Sequence, residues 1–174
     1  FVIDRVGELE TEDPVKNRII AEAKFLRALT YFNLVRFYGD VPLVLDELLD
    51  LDNPEVLNKA RTSSSLVYDA IIEDLKFAEV HLYLASWVSD ENIPSYEGGN
   101  TGRATIGAAK GLLAKVYLTR ASYPERDAGS YQLAYDKAKE VMTDAHYTLD
   151  SDYFNLNSLE GKTSQEWMFQ IQYN

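Results

Sequence analysis

Trp87 and Tyr96 stand in one polar stretch, residues 85–104, with Asp90, Glu91, Asn92, Asn100 and Arg103 around them. Those residue types suit the binding of a sugar. An indole or phenol ring stacks on the apolar face of a pyranose, and carboxylate, amide and guanidinium groups reach its hydroxyls. The Gly, Ser, Asn and Pro content of the stretch reads as a loop, and loops held on a rigid scaffold commonly carry binding residues. The ligand-binding candidates are therefore Trp87, Tyr96, Asp90, Asn92 and Arg103. For Trp87 a structural role competes, in which the ring tucks against the preceding helix as an anchor.

Other chemistries find little support. The sequence contains no G-x-S-x-G, no P-loop and no dinucleotide fingerprint. There is no cysteine, and the two histidines, His81 late in a helix and His146 in a turn, do not make a metal site without further ligands. Asp150-x-Asp152 with Asn155 and Asn157 has part of a calcium-loop spacing, but the required Gly and terminal Glu are misplaced. With 28 Asp and Glu residues some carboxylates must lie close together, so no chosen pair argues for glycoside hydrolysis. A net charge of −11 without a compact basic cluster argues against nucleic acid. No apolar run approaches the ~20 residues that cross a bilayer. No catalytic residue, metal or cofactor is expected.

These candidates need a scaffold, and its elements are helical. Asp13-Pro14 reads as a helix start, an acid at the cap and Pro in the first position. The helix continues to about Tyr38, where Gly39 and Pro42 end it. From Phe25 onward it is apolar on most sides, which predicts cover on both faces. Arg27 and Arg36 are expected to form salt bridges. An acidic connection follows over residues 43–62, then Thr62-Ser63-Ser64-Ser65 offers cap oxygens to a helix that fades near Leu84. That helix carries Val67, Ile71, Leu75, Ala78 and Leu82 on one stripe. Thr105 or Thr101 is expected to cap a third helix, with Ile106, Ala109, Leu113 and Val116 inward and an end near Ser122. A fourth, from Gly129-Ser130, is expected to pack through Tyr131, Ala134, Tyr135, Ala138, Val141 and Met142. Trp167-Met168-Phe169-Gln170-Ile171-Gln172 is β-prone and predicts a short strand or an extended segment on the helices, with Trp167 in the core.

A nonapeptide is written twice. Ala23-Lys24-Phe25-Leu26-Arg27-Ala28-Leu29-Thr30-Tyr31 and Ala109-Lys110-Gly111-Leu112-Leu113-Ala114-Lys115-Val116-Tyr117 both read A-K-x-L-x-A-x-x-Y. Each is followed by a matching partner stretch, Tyr68, Ile71, Leu75 and Ala78 in one case and Tyr131, Ala134, Ala138 and Val141 in the other. A helix pair repeated so that its copies stack is the mark of a helical-repeat protein. Leu113-Ala114-x-x-Tyr117 and Gly129-x-Tyr131-x-x-Ala134 fit the tetratricopeptide pattern, and Tyr31, Tyr117 and Tyr131 fall at repeat seams. The predicted fold is all-α: tetratricopeptide-like stacked helix pairs, long connecting loops and a short extended C-terminal segment, as a single helical-repeat domain over 1–174.

The stretch from Ala21-Glu22-Ala23-Lys24 through Arg36-Phe37-Tyr38-Gly39-Asp40-Val41-Pro42-Leu43 resembles the SusD/RagB family of nutrient-binding outer-membrane lipoproteins from Bacteroidetes. Val67-Tyr68-Asp69 with Ile72-Glu73-Asp74-Leu75, Gly102-Arg103-Ala104-Thr105 with the second nonapeptide, and the stretch from Glu166 to Asn174 extend the likeness along nearly the whole chain. The resemblance implies an oligosaccharide ligand, a lipid-anchored place on the outer-membrane surface and pairing with a TonB-dependent, SusC-like transporter. The chain is then a piece of a longer SusD-like protein, with the signal and lipidated Cys outside it. The competing function is a helical-repeat adaptor for a protein partner. A carbohydrate-active enzyme using a carboxylate pair is a third.

Overall fold

The structure, a computed structural model, describes residues 2–6, 8, 13–46, 58–88, 93–95, 102–122, 124–143, 147–158 and 160–171. Among them run five α-helices: α1 (Val2–Val6), α2 (Asp13–Tyr38), α3 (Ser64–His81), α4 (Ile106–Ala121) and α5 (Gly129–Thr143). Two 3-10 turns, Asn155–Asn157 and Glu160–Thr163, follow, and the described residues contain no strand. The fold is helical, as the periodicity predicts. α2 packs on α3, α3 on α4 and α4 on α5.

The 26 residues of α2 are rich in Ala, Leu, Lys and Arg, the best helix formers. Ala21, Phe25, Ala28, Phe32 and Val35 recur every three or four residues and form its buried stripe. The opposite side is open: Leu26 is 52 % and Phe37 76 % exposed, so the expected cover on both faces is not found among the described residues. α3 meets the stripe with Val67, Tyr68, Ile71, Leu75 and Ala78 and ends at His81, slightly before the predicted fade. Small residues, Ala21, Ala28 and Ala78, let the two axes approach.

The joint between α2 and α3 is built by a few residues. Gly39, at φ +66°, takes the left-handed conformation that ends α2, and its N–H donates to the Val35 carbonyl at 2.9 Å. Asp40 Oδ1 accepts from the Ser64 N–H at 2.8 Å and so caps α3 from across the connection. The predicted Ser and Thr caps give way to it, and the Ser63 side chain makes no cap bond. Thr62 N–H donates to the Val41 carbonyl at 2.9 Å, pinning the two ends of the 43–62 connection together. The Tyr31 hydroxyl accepts from Val44 N–H at 2.8 Å and holds the chain against α2.

One carboxylate dominates the same seam. Asp74 is 4 % exposed and accepts from Lys24 Nζ at 2.7 Å, Arg27 Nε at 2.7 Å and Arg27 Nη2 at 2.8 Å. The hydrogen bond from Arg27 to Asp74 raises the guanidinium pKa against the opposing pull of burial. Arg27 is therefore salt-bridged as expected. Arg36 instead donates to Asn33 Oδ1 at 2.6 Å and stacks over Phe32.

The two nonapeptides share a role but not a burial pattern. Lys24 reaches Asp74 on α3, and Lys110 reaches Glu140 on α5 at 3.4 Å, so each lysine ties its helix to the next. The first copy buries Phe25 and Ala28, the second Ala109, Leu113, Val116 and Tyr117. The inward face is rotated because α4 lies between two helices and needs a wider apolar surface. α5 departs most from expectation. It buries Ser130 and Ala134, while Tyr131 (52 %) and Tyr135 (60 %), with Ala138 and Met142, are exposed. Tyr131 is thus not a seam residue among the described ones.

Candidate functional site

The 85–104 loop is rooted at both ends. Leu84 N–H donates to the Pro94 carbonyl at 3.0 Å, and Ile106 N–H donates to the Tyr83 carbonyl at 3.1 Å. Thr105 caps α4 as predicted: it is fully buried, and its hydroxyl accepts from Ala108 N–H at 3.2 Å. A rigid helix start therefore fixes the exit of the loop.

Trp87 lies at the entry, in a turn closed by Val88 N–H donating to the Ala85 carbonyl at 2.9 Å. Its ring is half-buried against the core and meets Tyr147 edge-on, with centroids 6.0 Å apart and planes at 90°. The anchoring role weighed for Trp87 thus has a partner, though in Tyr147 rather than in the preceding helix alone. Arg103 lies at the exit, where Nη2 donates to Glu22 Oε1 at 2.6 Å. Glu22 also accepts from Arg18 Nη1 at 2.8 Å, and the Arg18 guanidinium lies over the Tyr83 ring. The loop end is by this means tied to α2. Asp90, Asn92 and Tyr96 lie outside the described residues, as do Glu91 and Asn100. Of the five candidates, the structure places Trp87 and Arg103 at opposite roots of one loop, each held by a different neighbour.

Sequence reasoning missed Tyr147. Its hydroxyl lies 3.0 Å from Thr105 Oγ1, and its ring lies where a side chain on Gly107 would stand. Four residues on, Gly111 makes the same room for Met168. Two glycines one turn apart inside a helix were the available signal, since each costs helix stability and so marks a place where something packs close. Met168 and Phe169 belong to the extended segment laid across the helices, with Phe169 edge-on to Phe25 at 5.0 Å. Trp167 is not core: it is half-buried, and Nε1 donates to the Gly161 carbonyl at 3.0 Å.

Two clefts flank this region. One of about 460 Å³ is lined by Val141, Met142, Tyr147, Leu149, Glu166 and Met168. Another of about 370 Å³ runs between α4 and α5 past Leu118, Tyr131, Ala134 and Tyr135. No group of three His, Asp or Glu side chains among the described residues could hold a metal. His81 stacks on Phe77 at 4.3 Å, and His146 lies outside the described residues. The calcium-like spacing serves as a turn: Asp150 accepts from Asp152 N–H, Asn155 Nδ2 and Ser164 Oγ, and Asp152 from Phe154 N–H. Those hydrogen bonds, that from Asp152 first, hold the half-buried Asp150 carboxyl below its ordinary value.

A family model described as SusD-like, starch-binding and associating with outer membrane matches residues 1–118. The chain belongs to the SusD-like family. A SusD-like protein of Bacteroides ovatus is 33% identical to it over 165 residues, covering 92% of this chain and 27% of that protein. A SusD superfamily protein from Parabacteroides distasonis superposes with a TM-score of 0.84 at 34% identity, over 99% of this chain and 34% of that one. A crystal structure solved with xylogluco-oligosaccharide superposes with a TM-score of 0.80 at 33% identity, over 99% of this chain and 32% of the other. The SusD-like chain thus spans about a quarter to a third of the relatives it matches. The Gly39-Asp40 joint and the long α2 that carry the sequence resemblance fall inside the matched span.

Proposed function

We propose that this chain forms part of a protein that binds oligosaccharide at the outer-membrane surface and passes it to a TonB-dependent, SusC-like transporter. Binding is non-catalytic: a preformed surface site holds the glycan, and no bond in it is broken. Within this chain the site is the 85–104 loop, with Trp87 and Tyr96 offering rings and Asp90, Asn92 and Arg103 offering polar groups. The observation that carries the reading is the 33%-identical relative with the same fold, solved with xylogluco-oligosaccharide. The held positions of Trp87 and Arg103 at the two roots support it, because groups already in place lose less entropy on binding.

Calorimetry of the complete protein against a panel of glycans tests this. Binding of at least one oligosaccharide, weakened about tenfold or more by Trp87→Ala, is the expected result. Unchanged affinity in that variant would remove the loop from the site, and released sugar products would overturn the non-catalytic reading. Co-purification of the transporter from outer membranes tests delivery.

A further inference from the structure

The geometry points to Tyr147 as a positioning residue for Trp87, one that registers the entry of the 85–104 loop to its exit without touching ligand. This rests on the reading of that loop as the sugar site. Several contacts among the described residues hold Tyr147. Its hydroxyl meets Thr105 Oγ1 at 3.0 Å, and Thr105 is wholly buried at the N-cap of α4. Its ring occupies the room left by Gly107, so any larger residue there would displace it. Its ring then meets the Trp87 indole edge-on at 6.0 Å.

The connectivity gives this contact its meaning. Thr105 directly follows the loop and Trp87 lies near its start, so Tyr147 bridges the two roots through α4. The space left among Leu84, Ala85, Val88, Ile106, Gly107 and Tyr147 is only about 20 Å³. Tyr147 is therefore closely seated against the roots of the loop and the start of α4. A perpendicular aromatic pair has a preferred geometry, which an aliphatic side chain of similar bulk does not reproduce. Tyr147 thus selects one orientation of the ring that the sugar reading makes a stacking platform.

The complete protein labelled with 5-fluorotryptophan provides the test, with the Trp87 resonance assigned through Trp87→Phe. In Tyr147→Leu, which keeps apolar bulk, the Trp87 resonance should shift and broaden, and affinity for xylogluco-oligosaccharide should fall about fivefold. Tyr147→Phe keeps the ring in the Gly107 seat and the edge contact but loses the bond to Thr105, so it should lie between Tyr147→Leu and the wild type in both readouts. Gly107→Ala, which pushes the ring from its seat, should repeat the Leu result from the other side of the contact. An unmoved Trp87 resonance in both Tyr147→Leu and Gly107→Ala overturns the positioning role. So does a fall in affinity without a change in that resonance. If the wild-type protein binds no glycan, the resonance alone still decides the positioning role, and it is the sugar reading that fails.

Discussion

At the scale of residues, Asp74 brings two cations onto one carboxylate in a seam of apolar side chains. Removing one partner of such a set leaves buried charge unmatched. Asp74→Ala is therefore expected to cost about 3–5 kcal/mol, read as a lower urea midpoint. Gly39 is a different case: nothing lies near its missing side chain, so Gly39→Ala suffers only from the left-handed backbone. The expected loss is about 1–2 kcal/mol, with Gly39→Asn losing less. Asp150 governs a pH effect. Its folded pKa lies below the ordinary 3.8, so its hold on the C-terminal turn is complete above that value. The hold is lost as pH falls through the lowered pKa. Acid titration of Trp167 fluorescence should show this loosening, and Asp150→Asn should remove it.

At the scale of elements, the helices were legible because burial leaves a stripe every three or four residues, as Val67, Ile71, Leu75 and Ala78 show. Gly39 was legible as a stop and Thr105 as a cap, since both act on their own helix ends. Asp40 as the cap of α3 was not, because its partner Ser64 lies across a long connection. The same limit hid Tyr147. Apolar spacing also cannot say which stripe finds a neighbour, which is why α5 was expected to pack through Tyr131. The contrast is measurable. Leu113→Ala, at a fully buried site, should cost about 2–5 kcal/mol. Tyr131→Ser, half-exposed, should stay within about 0.5 kcal/mol. The two α4 glycines should also differ. Gly107→Ala meets an anchored ring, whereas Gly111→Ala meets the flexible end of Met168 and gains about 1 kcal/mol of helix propensity in partial offset. Thermal unfolding of the pair should therefore rank Gly107→Ala as the more damaging.

At the scale of the molecule, the chain is an acidic, helical member of the SusD-like family, with its candidate loop rooted between α3 and α4. The candidate site was legible only in part. Residue types named the 85–104 loop as suited to sugar, but the placing of Trp87 and Arg103 depends on Tyr147 and Glu22, far away in the chain. The Phe25–Phe169 contact has a consequence for how such a protein is made. Phe25 lies in the first long helix and Phe169 near the last described residue, so α2 leaves the ribosome well before the ring that covers it. Contacts between such distant positions form late in folding. A chain stalled on the ribosome before residue 169 should therefore be cut at Phe25 by a protease specific for aromatic residues, and a chain stalled well beyond that residue should resist at Phe25.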